Sequence, residues 1–435
     1  MSVTQSESRV RQTHVGEEIH RLIAELYPIC RSITGQGVRE TLRILERYAP
    51  LVIRDIPSGT PVFDWTVPME WNVRDAYVRN AAGERVIDFR ASNLHVVGYS
   101  VPVRGRLPLR ELKAHLFTSP EHPEWIPYRT SYYREDWGFC ISQKQLEALP
   151  DGDYDVVIDA TLEDGALTYG ECYLPGSTTD EVLLSTHTCH PSLCNDNLSG
   201  VAVAAFLARA LSQRYRRRYS YRFLFIPGTI GAITWLCLNE ERVRRIKHGL
   251  VLSCLGDPGP LTYKRSRRGD CEIDRAASHV LRHATPHGEI VDFSPYGYDE
   301  RQYCSPGFNL PVGCLSRTPH GRYPEYHTSA DNLDLVRPDA LADSFSAMLS
   351  ILDTLEDNRV CVNTNPKCEP QLGRRGLYRT MGGLAARAHT ELALMWVLNM
   401  SDGDHTLLEI AEMSGLEFGL IRDAARTLGE HGLLE

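Results

Sequence analysis

The residues with the most chemistry to offer sit together: His187-Thr188-Cys189-His190-Pro191-Ser192-Leu193-Cys194-Asn195-Asp196-Asn197-Leu198-Ser199-Gly200. Two imidazoles, two thiols and a carboxylate fall between His187 and Asp196. His187 is a borderline ligand and Asp196 a hard one, a pairing suited to zinc or a similar divalent ion. The same residues have plainer uses. Asp196 or Asn197 suits a helix N-cap, and Cys189 and Cys194 suit small buried hydrophobes.

The flanks decide where this stretch sits. Val182-Leu183-Leu184-Ser185 is a short apolar run that reads as a buried strand. Val201 to Leu211 is alanine-rich and apolar on most sides, as a buried helix is. The polar stretch therefore lies at the end of a strand, where α/β folds place their chemistry. A second polar stretch, Tyr323-Pro324-Glu325-Tyr326-His327-Thr328-Ser329-Ala330-Asp331-Asn332-Leu333, offers His327 with Asp331 behind it.

Together the two stretches resemble the di-zinc exopeptidase superfamily, of the bacterial leucyl aminopeptidase type. The resemblance implies that His187 is the ligand ending a strand. It makes Asp196, within Asp196-Asn197-Leu198-Ser199-Gly200, the metal-bridging carboxylate, and His327 a late ligand. More narrowly, the chain is similar to bacterial aminopeptidase-like proteins that pair this core with an N-terminal insert and a C-terminal helix-turn-helix. It also departs from the superfamily. The first ligand motif, His-x-Asp, is replaced by His187-Thr188-Cys189-His190. The Glu-Glu pair after the next strand is missing, since Arg222-Phe223-Leu224-Phe225-Ile226 runs into Pro227-Gly228-Thr229-Ile230-Gly231. The next ligand position offers Cys254, or Asp257 slightly later.

The expected centre is accordingly one ion, zinc before iron or another divalent metal, on His187, Asp196 and His327. His190, Cys254 and Asp257 stay open as further ligands. Tyr298-Asp299-Glu300-Arg301-Gln302-Tyr303 corresponds in position to a segment beside the superfamily's active site. Glu300, or Asp299 beside it, and Glu325 are the candidates for the lost general base. Tyr298, Arg301 and Tyr303 are expected to hold substrate, and the backbone amides near Gly228 and Thr229 to face an oxyanion. Lys264-Arg265-Ser266-Arg267-Arg268 reads as a solvated turn or as a holder of an anionic substrate group. The expected activity is metal-dependent hydrolysis of a small peptide, amide or amino-acid conjugate. Acyl transfer or cyclisation on the same scaffold, and a degenerate peptidase-like binding protein, are the alternatives.

At 435 residues the chain is too long for one core, and two or three domains are expected. The fold expected is α/β: a mixed, mostly parallel sheet sandwiched by helices, formed by residues 15–59 and 154–360. Residues 60–153, richer in proline, tryptophan and tyrosine, read as a β-rich insert whose aromatics mainly fill its own core. Residues 1–14 read as disordered and 357–375 as a linker. Residues 376–435 read as a winged-helix-like module. Residues 401–435 hold eight acidic side chains against two arginines, which argues against DNA and for packing or homo-oligomer formation. A net charge of −9 also argues against nucleic-acid or anionic-membrane partners. The N-terminus lacks the apolar core of a signal peptide, and no uncharged apolar run reaches the roughly 20 residues of a membrane span. Twelve scattered cysteines with no paired framework point to a reducing cytoplasm.

Overall fold

The computed structural model describes residues 3–284, 288–377 and 385–435. Eight strands make the main sheet: β1 (Val52–Pro57), β2 (Ala166–Leu174), β3 (Glu181–His187), β4 (Ser220–Ile226), β5 (Ile246–Leu252), β6 (Thr262–Lys264), β7 (Glu289–Val291) and β8 (Val312–Ser316). Their spatial order is β1-β2-β4-β3-β5-β8-β6-β7. The central run β4-β3-β5-β8 is parallel; β2 and β6 join it antiparallel, and β1 pairs antiparallel with β2. This is the mixed, mostly parallel sheet expected.

Helices cover both faces, and the strands sort their side chains between them with the two-residue period of a pleat. Val182 and Leu184 face a core shared with α1 (Val3–Leu26), α3 (Gly200–Ser212) and α6 (Pro338–Asp357). Leu183, between them, faces the opposite core with α4 (Ile230–Leu238) and the insert. Every residue of β3 is buried, which explains its unbroken apolar run. α1 packs on α6 closely enough that a Cβ at Gly16 would sit 2.0 Å from the Pro338 carbonyl oxygen. Because α1 begins at Val3, the part of the expected disordered segment from residue 3 onward is helical. Residues 1–2 lie outside the described residues.

From β3 the chain crosses through α3 to β4 on one side, then through α4 to β5 on the other. A crevice opens beyond the C-terminal end of a strand where the chain order reverses in this way. His187 is the last residue of that strand. At the other end of the strand, buried Arg222 on β4 grips Glu181 of β3 through two bonds of 2.7 and 2.9 Å. It also pairs with Glu171 of β2, so one guanidinium ties three strands together.

The insert leaves after β1 and returns at β2. Its antiparallel sheet runs Arg85–Asp88, Glu70–Arg79, Asp153–Glu163, Val103–Pro108. The strand Asp153–Glu163, assigned to the core from sequence, is therefore central to the insert, which ends at Glu163. An apolar run reads the same whichever sheet it joins; only its distant partners decide.

In the C-terminal part, helices Ala385–Met400, Leu407–Ser414 and Phe418–Glu430 pack together. Thr406 and Glu409 form a capping box at the second of these. Val360–Val362 pairs with Asp402–Thr406, and Val362 exchanges backbone hydrogen bonds with Glu435. The segment expected to be a linker thus supplies a strand, and residues 433–435 run beside it. Residues 378–384, near the expected boundary at 376, lie outside the described residues. No described helix is long and apolar enough to cross a membrane.

This part docks on α5 (Glu272–Ala284): Arg275 pairs with Glu409 and Glu412, and the Phe418 N–H donates to His279 Nε2 at 3.0 Å. Burial, reinforced by the charges of His283 and Arg282, pushes His279 down to about 4. An unfolded imidazole titrates near 6.5, so the unfolded chain takes up the proton first as pH falls from about 6.5 to 4. Stability is expected to drop across that window by on the order of 1–3 kcal/mol from this residue. Urea denaturation at pH 7 and pH 5 checks it: His279→Gln should narrow the difference between the two, and an unchanged difference contradicts it.

Candidate metal centre

Asp196 is fully buried, and its two carboxylate oxygens receive imidazoles from separate parts of the chain. His187 Nε2 donates to Oδ1 at 2.8 Å, and His327 Nε2 donates to Oδ2 at 2.9 Å. His190 Nε2 stands 3.7 Å from Oδ2. One ligand atom from each of His187, His190 and Asp196 can be chosen so that all lie within 4.8 Å of one another. Burial works to raise the Asp196 pKa, but the charge of His190 and the hydrogen bonds from His187 and His327 outweigh it and hold it well below the carboxylate range. Burial opposes protonation of His187 too, yet its bond to Asp196 raises it. His190 lacks such a bond, and burial drives it to about 3.

These positions are fixed by a backbone-to-side-chain web. Asp331 accepts the N–H groups of Asn195 (2.5 Å) and Asp196 (2.9 Å). Asn195 reaches across to the chain after β5, accepting from Gly256 and Asp257 and donating to the Asp257 carboxylate. Asn197 donates to the Thr186 hydroxyl and the Leu252 carbonyl and accepts from the Cys254 N–H. At Gly200 a Cβ would meet the Asn197 side chain and the Leu252 carbonyl at 2.5 and 2.6 Å, so the helix must open on glycine. The insert holds the other ligand loop: Tyr128 N–H donates to the His327 carbonyl at 2.7 Å, and Ile126 and Ser329 bond reciprocally. Ser192, Thr229, Cys254 and His327 all have left-handed backbones, and such strain gathers at functional sites.

The donor set fits a divalent ion. Zinc–nitrogen and zinc–oxygen distances near 2.0–2.2 Å place neighbouring tetrahedral ligands about 3.3 Å apart. His187 Nε2 lies 2.8 Å from Oδ1, whereas His327 Nε2 and His190 Nε2 lie 2.9 and 3.7 Å from Oδ2; among the described residues His187, His190 and Asp196 bring one ligand atom each within 4.8 Å of one another, and His327 stands outside that group. Tyr298 stacks on His187 at 5.6 Å and Tyr326 on His327 at 4.0 Å. Tyr128 lies against both His190 and His327.

Of the residues expected at the site, His187, Asp196 and His327 come together, His190 joins them, and Tyr298 lines them. Cys254 is beside them, its thiol within 3.1 Å of the Tyr298 hydroxyl and raised by burial. Asp257 is occupied by Asn195, Gly259 and Thr318. Glu300 is buried, one carboxylate oxygen paired with Lys264 and the other, Oε2, without a hydrogen-bond partner. Tyr303 is not a substrate contact, since its buried hydroxyl meets Ser185 at 2.8 Å. Arg301 reaches the Thr229 hydroxyl at 3.3 Å. Both expected oxyanion donors are engaged, Gly228 N–H by Cys189 and Thr229 N–H by Asp299, whose pKa burial lifts to about 6. Glu325 is half-buried, and no contact links its carboxylate to the cluster among the described residues. Sequence reasoning missed Tyr128, Tyr326 and His320, whose only local signal is their closeness to His327 or to an aromatic run.

The mixed sheet flanked by helices has the fold of the zinc aminopeptidases. The chain belongs to the family described as Domain of unknown function (DUF4910), which matches residues 20–358; residues 359–435 match a winged helix-turn-helix. A Clostridium acetobutylicum protein described as a polysaccharide biosynthesis protein with an aminopeptidase-like domain is 55% identical over 423 residues, 97% of each chain. A crystal structure of a peptidase-described protein from the same organism superposes with a TM-score of 0.94 at 53% identity, covering 99% of this chain and 98% of that one. A Bacillus subtilis zinc aminopeptidase shares the fold, with a TM-score of 0.59 at 12% identity over 79% of this chain and 94% of its own.

Asp331 gives this web its test. Asp331→Ala leaves two buried N–H groups unpaired and is expected to cost about 2–5 kcal/mol in denaturant unfolding. Asp331→Asn keeps one acceptor oxygen and should cost less, whereas a loss under about 1 kcal/mol for alanine contradicts the assignment.

Proposed function

We propose that this chain is a metal-dependent hydrolase of aminopeptidase-like type, acting on a small peptide, amide or amino-acid conjugate. His187, Asp196 and His327 would hold one zinc ion, with His190 available as a fourth ligand. The observation that carries this reading is the fully buried Asp196 carboxylate shared between His187 and His327. One ion is favoured over two because Pro227-Gly228-Thr229 stands where a Glu-Glu pair would serve a second, and Cys254 where an aspartate would.

A divalent ion supplies Lewis acidity toward a carbonyl and acidifies water. The chain's own residues do the rest. Asp196 contributes the negative charge that offsets the cation, and the imidazoles add neutral nitrogen donors. Tyr298 and Tyr326, stacked on two of those imidazoles, restrict their rotation and keep bulk water from their faces. Substrate would approach from the side of these two tyrosines. The free state of all twelve cysteines supports a cytoplasmic location. The acidic excess of the winged-helix part supports packing or oligomer formation over DNA binding.

The test is metal content of protein purified without added metal, for wild type, His187→Ala and Asp196→Asn, followed by hydrolysis assays. Amino-acid amides and dipeptides lead the panel, and N-acylated amino sugars join it because of the relative described in polysaccharide biosynthesis. About one equivalent of zinc is expected in wild type and little in either variant, with hydrolysis at least 10²-fold slower in both. A wild type that takes up no metal on titration overturns the proposal.

A further inference from the structure

The superfamily's glutamate base is absent, and the structure ties Glu300 to Lys264. A hydrolase still needs a group to take the proton of water. The loop after β8 brings one histidine, His320, against the tyrosines that flank the centre. The His320 ring meets the Tyr298 ring edge-on at 5.0 Å and lies 6.0 Å from the Tyr326 ring. Tyr298 itself lies on His187, and Tyr326 lies on His327. His320 therefore spans the two tyrosines that flank the ligands, one ring removed from a ligand on each side.

Its hydrogen bonding is unfinished. Nδ1 is buried and has no partner in the protein, which for a polar atom calls for a physical reason. The charged and titratable groups that act on the ring are Lys264, Asp196, Glu300 and His327, with Tyr296, Tyr298 and Tyr326 packed against it. Lys264 is spent on Glu300 and on the carbonyls of Ser294 and Tyr296, so it offers no bond. Burial, then Lys264, lowers the His320 pKa, which keeps the ring in its basic form at neutral pH.

We propose that His320 is the general base of this centre, a role that rests on the hydrolase reading above. Nδ1 takes a proton from water as the water oxygen bonds to the substrate carbonyl carbon. The same proton then passes to the leaving nitrogen as the C–N bond breaks. The products are a carboxylic acid and an amine, and no further reactant is needed.

The experiment uses the full-length zinc-loaded protein and His320→Ala. Metal content should be equal in both, since His320 is not a ligand. With an amino-acid amide found to be a substrate, kcat/KM should fall about 10²–10⁴-fold and recover in part on adding free imidazole. A readout independent of turnover is calorimetry of leucine hydroxamate binding in two buffers of different ionisation enthalpy. Wild type should keep the hydroxamate proton on the protein, and His320→Ala should release about one more proton to the buffer. Unchanged kcat/KM with an unchanged proton count overturns the assignment and leaves the hydrolase reading standing. Lost activity with no imidazole rescue and an unchanged proton count marks a structural role and overturns it as well. A wild type that neither hydrolyses the panel nor binds the hydroxamate overturns both.

Discussion

A carboxylate cannot be taken out of water without compensation; even after relaxation the penalty is several kcal/mol. Asp196 has no exposure at all, and the local architecture answers that cost. Histidines from two segments meet its oxygens, Asp331 fixes its backbone, and Asn195 and Asn197 lock the loop to the chain after β5. Two of these histidines are distant in sequence, so the sheet must be complete before the charge is satisfied. The cluster is thus a property of the folded whole and not of one motif.

The insert belongs to this arrangement and is no mere appendage. Its Ile126–Tyr128 segment is hydrogen-bonded to the loop bearing His327, and the Tyr128 ring lies against both His190 and His327. Aromatics of the insert were expected to fill its own core. Trp71 does so, donating from its indole to the Ser100 carbonyl, whereas Tyr128 faces the core's chemistry. Access to the centre therefore depends on both units, which gives the insert a direct means of shaping substrate choice.

What the sequence made legible was local. A buried strand, a polar turn and an alanine-rich helix follow one another around His187 and Asp196, and each has its own periodicity. The mixed sheet and its covering helices followed from repeats of that pattern. What stayed illegible was the choice of partner across distance. Nothing near Glu300 shows that Lys264 will pair with it, and nothing near Tyr303 shows that Ser185 will take its hydroxyl. Asp153–Glu163 has the same apolar texture as a core strand, yet it pairs with Glu70–Arg79 and Val103–Pro108. His190 was visible as a residue, but its place beside Asp196 depends on how the loop between them turns.

The seating of α1 on α6, at Gly16 against Pro338, has a kinetic consequence. These helices come from opposite ends of the α/β core, so their contact closes a loop of more than three hundred residues. Loop closure of that span must be met before the contact gives anything back, and topologies rich in such contacts fold slowly. β1 is in a similar position, since it reaches β2 only after the whole insert has intervened. The central parallel strands and α3 can assemble from neighbouring sequence, while α1 and β1 close over them last. During synthesis the N-terminal helix can meet α3 early, but its cover is completed only when residues 338–357 have emerged.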